Sequence, residues 1–199
     1  MGELAKKLFE RKVNSTRMKT FRGKHSTVEV RDRRAIKKFK KGLEYNFWKE
    51  VAFLSYLQPH GFVPSLYSIR PERLEVEMEF IDGVTIGEKA RNGELEAKDV
   101  LSCMDICRKL DEMMIQKEEM HMPDKHIIFR DGKAYFIDFE RSVIKKNPSN
   151  VTQFFSYLLK LKVADLSIME FVREYSRKMD DESYLRLRRA VERALIVLD

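Results

Sequence analysis

One hairpin pattern, IIFRDGKAYFID, carries the clearest chemical signal in the sequence. Apolar segments at 127–130 and 134–138 flank Asp131-Gly132, a dipeptide that favours a tight turn. The second strand would end on Asp138, and a carboxylate in this place is suited to bind a hard divalent cation. The sequence therefore predicts a small hairpin that presents Asp138 as a metal-binding group.

The loop before this hairpin, EEMHMPDKH, contains carboxylates and imidazoles close together. Glu119 is suited to orient an attacking hydroxyl, and Asp124 offers the oxygen ligands that Mg²⁺ prefers. His126 is a poor ligand for Mg²⁺ but an acceptable one for Mn²⁺. The alternative interpretation is structural: the glutamates end a helix, and the histidines pack or bond locally.

A loop with one glycine is a candidate phosphate contact near the start of the chain. It comprises Gly23, Lys24, His25 and Ser26. Backbone N–H groups of a small loop can bind phosphate oxygens. A single glycine is no glycine-rich motif, so an ordinary turn explains the same residues.

Lys37 and Glu50 form a candidate ion pair between a predicted strand and a predicted helix. Lys37 lies in the strand 35–39, and Glu50 lies at the border of the apolar face of the helix 43–57. A carboxylate at that border can reach a lysine on an adjacent strand. Because 36% of the residues are charged, two ordinary surface charges are the alternative interpretation.

The elements that would position these residues change in kind along the chain. The first part predicts a hairpin over 27–40, the helix 43–57, and short strands near 66–70 and 74–80. A break follows at Asp82-Gly83. This part of the chain is therefore expected to be rich in strands, with one long helix.

After this break the pattern becomes mainly helical. A stripe of apolar residues at helical spacing predicts a helix over 97–116 and is interpreted as core. Its members are Val100, Met104, Cys107, Leu110 and Met114. Three more helices are predicted, one from about Asn150, one over 165–178 and one over 181–198.

The order of these elements predicts a two-lobed α+β protein with a cleft at the linker. We expect a strand-rich N-terminal lobe over residues 1–80 and a hinge over 81–84. A reduced, mostly helical C-terminal lobe would follow over 85–199.

The composition favours an anionic partner. Lys and Arg number 39 against 32 Asp and Glu, which gives a net charge of +7. Such a balance suits a nucleotide, a phosphorylated substrate or RNA, although a solvated basic surface is the alternative. Two cysteines, Cys103 and Cys107, provide neither a zinc site nor a disulfide framework, which fits buried thiols in a reducing cytoplasm.

The N-terminus, MGELAKKLFERK, is too charged for a signal peptide. It has the pattern of a basic amphipathic helix, with Leu4 and Leu8 on one face, and we expect it to dock onto the domain. The sequence contains no run of about 18 apolar residues, so no membrane span is predicted. These features favour a cytoplasmic location.

Taken in order, these elements resemble the protein-kinase-like superfamily. The series consists of the A-x-K strand at Ala35-Ile36-Lys37, a helix with Glu50, the strand VEMEFIDG, a long helix, and Ile137-Asp138-Phe139. The most similar members would be RIO kinases, the compact archaeal kinase of the tRNA-threonylcarbamoylation complex, and bacterial lipopolysaccharide core kinases. The resemblance covers about residues 20–160, and Asp138-Phe139-Glu140 stands in place of the family's D-F-G.

The resemblance implies roles for particular residues. Lys37 would hold the α- and β-phosphates of ATP and pair with Glu50, and Asp138 would bind Mg²⁺. Met78 would occupy the gatekeeper position, and Glu79 and Ile81 would face adenine.

The catalytic loop of the family, H-R-D-x-x-x-x-N, fits this chain in two registers. Counting from the long helix, Glu119 takes the place of the Asp and Asp124 that of the Asn. Counting back from the strand at 127, His126 takes the place of the Asn and His121 that of the Asp. We favour Glu119 near the catalytic Asp position, with His126 or Asp124 near the metal.

The first functional hypothesis is an ATP-dependent phosphotransferase of the serine/threonine protein kinase type, with Mg²⁺ or Mn²⁺ and a protein or other hydroxyl-bearing acceptor. The second is a pseudokinase that binds a nucleotide or a partner, RNA included, without catalysis. The third is a kinase for a sugar or another small molecule. The atypical loop keeps all three open.

Overall fold

The computed structural model describes residues 19–164 and 166–196. The predicted N-terminal helix with Leu4 and Leu8 lies outside the described residues. The chain divides into two compact units, Met1–Asp82 and Gly83–Asp199. The boundary falls inside the segment expected to be the hinge.

A five-stranded antiparallel sheet and one long helix form the first unit. The sheet has the order β1-β2-β3-β5-β4. The elements are β1 (Lys19–Arg22), β2 (Ser26–Arg31), β3 (Arg34–Phe39), α1 (Glu44–Leu57), β4 (Leu66–Arg70) and β5 (Glu75–Glu79). Helix α1 packs on β3, β4 and β5. This agrees with the strand-rich first part that the sequence predicts.

The residue alternation of β3 decides where its lysines point. Ala35, Lys37 and Phe39 are buried, whereas the residues between them are partly exposed. Successive side chains of a strand point to opposite faces of the sheet, so one period-two pattern buries Lys37 and exposes Lys38. The hairpin from β2 to β3 turns at Asp32 and Arg33, whose φ angles of 48° and 62° suit a two-residue turn.

Helix α1 presents an apolar face to the sheet. Phe47, Leu54 and Leu57 are fully buried, and the Phe47 ring meets that of Phe39 edge-on, with centroids 5.9 Å apart. Glu50 lies on this buried face. The helix gives way to a short 3₁₀ turn that Gly61 closes with a φ of 72°.

The second unit is mainly helical and contains two small antiparallel sheets, β6-β8-β9 and β10-β7. The strands are β6 (Val84–Thr85), β7 (Ile115–Gln116), β8 (Ile127–Arg130), β9 (Lys133–Phe136) and β10 (Val143–Ile144). The helices are α2 (Ile86–Asn92), α3 (Ala97–Glu112), α4 (Asn150–Lys160), α5 (Met169–Lys178) and α6 (Asp181–Ile196). The predicted hairpin around Asp131-Gly132 is the β8–β9 pair.

Helix α3 forms the centre of the second unit and packs against α4 and α6. Val100, Met104, Cys107 and Leu110 are buried along it, as the sequence predicts. The prediction was wrong for Met114, which is half exposed, because the helix ends at Glu112 and the chain enters β7 through a residue with a φ of 57°.

Helix length and hydropathy also bear on membrane insertion. Among the described residues, no helix combines the length and the apolar character needed to cross a bilayer.

Candidate functional site

The first unit contains a buried ion pair between Lys37 and Glu50. Lys37 Nζ lies 3.4 Å from Glu50 Oε1, and the two residues are only 5% and 1% exposed. The ammonium group also lies 5.0 Å from the centroid of the Phe39 ring. Removing two charges from water costs several kcal/mol per ion, so such a pair is weak evidence for a role in stability.

The glycine-containing loop is a compact turn between β1 and β2. The Gly23 amide donates to the Ser26 carbonyl at 2.8 Å. Lys40 holds the two residues between Gly23 and Ser26. Its Nζ donates to the Lys24 carbonyl at 2.6 Å, and its amide donates to the His25 carbonyl at 3.0 Å. The turn is therefore fixed by one hydrogen bond of its own backbone and by two from Lys40, and the Gly23 amide is already used.

The strand β5 leads to the residues that the resemblance assigns to adenine. Met78 and Ile81 are buried. The Glu79 amide donates to the Ser65 carbonyl at 2.8 Å, and its carboxylate accepts from the Ser65 amide and hydroxyl at 3.3 and 3.1 Å. These contacts fix the backbone of β5 at its end.

In the second unit, Asp138 follows the hairpin with a left-handed backbone, at a φ of 67°. Its carbonyl accepts a hydrogen bond of 2.8 Å from Lys117 Nζ. Its carboxylate Oδ2 lies 3.8 Å from His126 Nε2. A non-glycine residue in this conformation costs energy, and such residues cluster at functional sites.

Glu119 lies on the other side of the same imidazole. Its Oε2 is 3.7 Å from His126 Nδ1, and its Oε1 accepts from Arg141 Nη1 at 2.8 Å. Arg141 also pairs with Glu118 at 2.7 Å. The structure thus brings Glu119, His126 and Asp138 together around one imidazole.

Asp124 has a different set of neighbours. Its Oδ1 accepts a hydrogen bond of 3.0 Å from the Tyr157 hydroxyl on α4. Burial and this carboxylate raise the pKa of Tyr157, which keeps the phenol a neutral donor. A Cβ atom at Gly87 would lie 2.7 Å from the same oxygen, so Asp124 packs tightly against α2. His121, the alternative in the second register, accepts from Lys160 through its carbonyl.

Sequence reasoning missed a chain of buried polar residues behind this cluster. Lys117 is 1% exposed, and its amide donates to Asn150 Oδ1 at 2.8 Å. Asn150 Nδ2 donates to Asp111 Oδ1 at 2.7 Å, and Tyr175 donates to the other oxygen of Asp111 at 2.8 Å. Burial raises the pKa of Asp111 although these bonds favour its charged form. No spacing in the sequence links residues 33 to 64 positions apart.

Lys117 and the cluster of Glu119, His126 and Asp138 surround a small cavity. The cavity has a volume of about 20 Å³, and Lys117, Glu119, His126 and Asp138 are among its lining residues. This volume is far below that of a nucleotide, since ligand pockets measure about 300–1,000 Å³.

Asp138 fits Mg²⁺ as one ligand among several. Within the described residues, His, Cys, Asp and Glu side chains form no group of three or more that could hold a metal ion. Mg²⁺ is usually bound by one or two carboxylates together with waters and substrate phosphates, rather than by a complete protein cage. A lone carboxylate such as that of Asp138 is compatible with this mode of binding.

Comparisons with known proteins identify the class of fold. No protein-family model matches the sequence, and no curated protein matches it either. Solved structures do: WbdD bound to the kinase inhibitor LY294002 has a TM-score of 0.63 at 15% identity, over 89% of this chain and 45% of WbdD. A second WbdD structure gives 0.64 at 16% identity, over 90% of this chain and 45% of that one.

A Rio2 kinase from Chaetomium thermophilum, solved as an ADP/Mg²⁺-phosphoaspartate complex, has a TM-score of 0.53 at 14% identity. The similarity covers 98% of this chain and 69% of that one. The chain therefore spans less than half the length of WbdD and about two thirds of Rio2. It has an α+β protein-kinase-like fold, and the predicted resemblance to this class of kinases is confirmed at the level of the fold.

Proposed function

We propose that this protein is an ATP-dependent phosphotransferase that moves the γ-phosphate of ATP to a hydroxyl group. The observation that carries this proposal is the buried Lys37–Glu50 pair on the helix and sheet of a kinase-like fold. A kinase-like neighbour solved with ADP and Mg²⁺ supports the same ligands here. The first acceptor to test is a serine or threonine hydroxyl of a protein.

The first unit would supply the nucleotide contacts. Lys37 would bind the α- and β-phosphates, while Glu50 orients its ammonium group. The end of β5, at Met78, Glu79 and Ile81, would face adenine. The turn at residues 23–26 would lie over the phosphates, and Lys24 would supply its positive charge.

The second unit would supply the metal ligand and the group that handles the proton. Asp138 would hold Mg²⁺ or Mn²⁺, which when bound neutralises charge on the phosphate oxygens. Glu119 would orient the acceptor hydroxyl and accept its proton. The acceptor oxygen then bonds to the γ-phosphorus, the bond to the β–γ bridging oxygen breaks, and ADP leaves.

His126 is the better candidate than Asp124 for a second role beside the metal. It lies within 4 Å of both Glu119 and Asp138, whereas Asp124 Oδ1 accepts from Tyr157. We propose that Asp124 fixes the loop against α2 and α4. An imidazole beside the metal would favour Mn²⁺ over Mg²⁺ relative to an all-oxygen site.

A second candidate function is a nucleotide-binding module without phosphotransfer. It is favoured by Arg141, which already holds the carboxylate of Glu119 at 2.8 Å. A carboxylate oxygen that accepts from Arg141 is not free to accept from a substrate hydroxyl, and this would slow proton acceptance. The transfer assay below separates the two functions.

Nucleotide binding is tested with a pair of neighbouring lysines. Lys37→Met should weaken Mg²⁺- or Mn²⁺-dependent ATP affinity by about tenfold or more, as expected for loss of a charge-assisted contact. Lys38→Met is the matched control, because Lys38 lies on the same strand, faces the other side and pairs with Glu29 at 2.8 Å. Isothermal titration calorimetry measures both. Equal affinities for the two variants, or no ATP binding by the native chain, would refute the proposal.

Transfer is tested with ATP labelled at the γ-phosphate and a mixture of protein acceptors. Asp138→Asn should abolish incorporation, whereas Asp131→Asn, in the exposed turn of the hairpin, should leave it unchanged. If the native chain binds ATP but transfers no label to protein, sugar or itself, the binding-module function is the correct one.

A further inference from the structure

A basic groove lies near the C-terminal end of the second unit, formed by α6 and by residues 162–164 and 166–171. Its volume is about 780 Å³. Its cationic lining residues are Lys162, Arg186, Arg189 and Arg193. None of the described residues that line it is acidic. The nucleotide proposal makes no use of this groove.

The arginines follow one stripe of α6. Arg186, Arg189 and Arg193 are spaced at i, i+3 and i+7, so they share one helical face. Ala190 lies between Arg189 and Arg193, and Ala194 follows Arg193 on the same side. The stripe from Arg186 to Arg193 is about 10 Å long, and its small residues leave the helix backbone open to close approach.

Within the described residues, three of these four cations have no ion-pair partner. Arg186 bonds Glu174 at 3.0 Å and lies over the Phe171 ring at 5.7 Å. Lys162, Arg189 and Arg193 are exposed and form no ion pair with another residue in the described part of the chain. Three exposed cations around one groove attract anionic ligands.

The floor of the groove is apolar. Val163, Ala164, Ile168 and Phe171 face α6 across it, together with the two alanines. A ligand that brought only phosphates would leave this floor in contact with water. A fitting occupant therefore combines negative charges with apolar side chains, and it must be narrow enough to enter a concave surface.

We propose that the groove binds an acidic amphipathic helix of a partner protein. Its apolar side chains would cover the floor, as in other helix-in-groove complexes. Its carboxylates would pair with Arg189 and Arg193, whose planar guanidinium groups suit bidentate binding of carboxylates. Nucleic acid matches the charge but not the apolar floor, and a flat lipid surface does not match the concave shape.

The test uses a fluorescein-labelled helical peptide of about three heptads, with leucines on one face and glutamates beside them. Two control peptides have the same composition in shuffled order, or lysine in place of glutamate. A single-stranded RNA and vesicles with anionic lipids are measured in parallel. Fluorescence anisotropy at about 0.15 M salt reports binding.

Two groove variants and one matched control decide the result. Arg189→Glu with Arg193→Glu reverses the groove charge, and Ala194→Trp fills the floor. Arg173→Glu with Arg177→Glu changes the total charge equally on α5, at exposed arginines outside the groove. Circular dichroism confirms that each variant is folded.

Of all the probes, we expect only the amphipathic acidic peptide to bind the native chain. Its affinity should fall by about tenfold or more in both groove variants and change little in the variant of Arg173 and Arg177. Equal losses in the two charge-reversed variants would overturn the proposal, because they would indicate attraction by total charge. Binding of RNA or vesicles through Arg189 and Arg193 without peptide binding would assign the groove to that other ligand. Absence of binding by every probe would also overturn it.

Discussion

Lys37 and Lys38 are adjacent in sequence but differ completely in environment. Lys37 is buried against Glu50 and an aromatic ring, and Lys38 pairs with Glu29 on the opposite face of the sheet. The difference arises from the two-residue period of β3 and not from the residue type. A buried lysine with a carboxylate at 3.4 Å is an energetically costly arrangement, and a function for it is the simplest reason to keep it.

Glu118 and Glu119 form a second pair of neighbours with different contacts. Both accept from Arg141, but only Glu119 also lies beside His126. We predict that Glu119→Gln lowers the transfer rate by about 10²-fold or more, the range of general-base contributions. ATP affinity should change little, because neither residue is proposed to contact the nucleotide.

Glu118→Gln is the matched control, since it removes an equivalent charge from the same arginine. Its transfer rate should stay close to that of the native chain in the same radiolabel assay. If both glutamine variants lose activity equally, Arg141, and not Glu119, is the group on which the transfer rate depends.

At the scale of elements, the start of α4 is joined to the end of α3 through Asn150. Its side chain contacts Asp111, the Ile115 carbonyl and the Lys117 amide, all of them buried. Lys117 in turn contacts the Asp138 carbonyl. One buried amide therefore links two helices to the backbone that presents the candidate metal ligand.

We predict that Asn150→Ala lowers the free energy of unfolding by about 2–4 kcal/mol, because it leaves several buried polar groups without their partner. Asn147→Ala, at an exposed position before the same helix, should change it by less than about 0.5 kcal/mol. Chemical denaturation followed by circular dichroism measures both. Similar stabilities for the two variants would show that the network contributes little.

At the scale of the whole molecule, the kinase-like fold persists at 14–16% identity to its solved neighbours. If the proposed function is correct, nucleotide should stabilise the folded chain by mass action. Mg²⁺-ATP at about 100 times its dissociation constant should add about 2.7 kcal/mol to the free energy of unfolding.

Differential scanning fluorimetry with and without EDTA checks this stabilisation. The Asp138→Asn variant should lose the metal-dependent part of the stabilisation by ATP and keep the metal-independent part. A melting temperature that ATP does not change at any metal concentration would contradict the prediction.

The sequence predicted those parts of the structure that depend on local patterns. The α1 helix, the β8–β9 hairpin and the burial of most of the α3 stripe follow from periodicity and turn residues. The resemblance to kinases correctly gave the fold. The helix, the hairpin and the stripe are each encoded within about 20 consecutive residues, whereas the resemblance depends on the order of elements over about residues 20–160.

The features that were missed depend on distant partners. The two-residue strands β7 and β10 pair across 27 positions at their nearest partners, Gln116 and Val143, and so they shorten the predicted α3 helix. Lys117 and Asn150 have residue types that are usually exposed, and only tertiary contacts explain their burial. The preference for His126 over Asp124 needed the position of Tyr157, which no loop pattern contains.

The two cysteines have a practical consequence. Cys103 and Cys107 are completely buried in α3, and burial raises the pKa of both thiols well above the usual range. Their thiolate forms, which react with maleimides, are therefore suppressed in the folded chain. Because the sequence contains no other cysteine, a single cysteine introduced on the surface would be a selective attachment point for a spectroscopic label in the otherwise native chain.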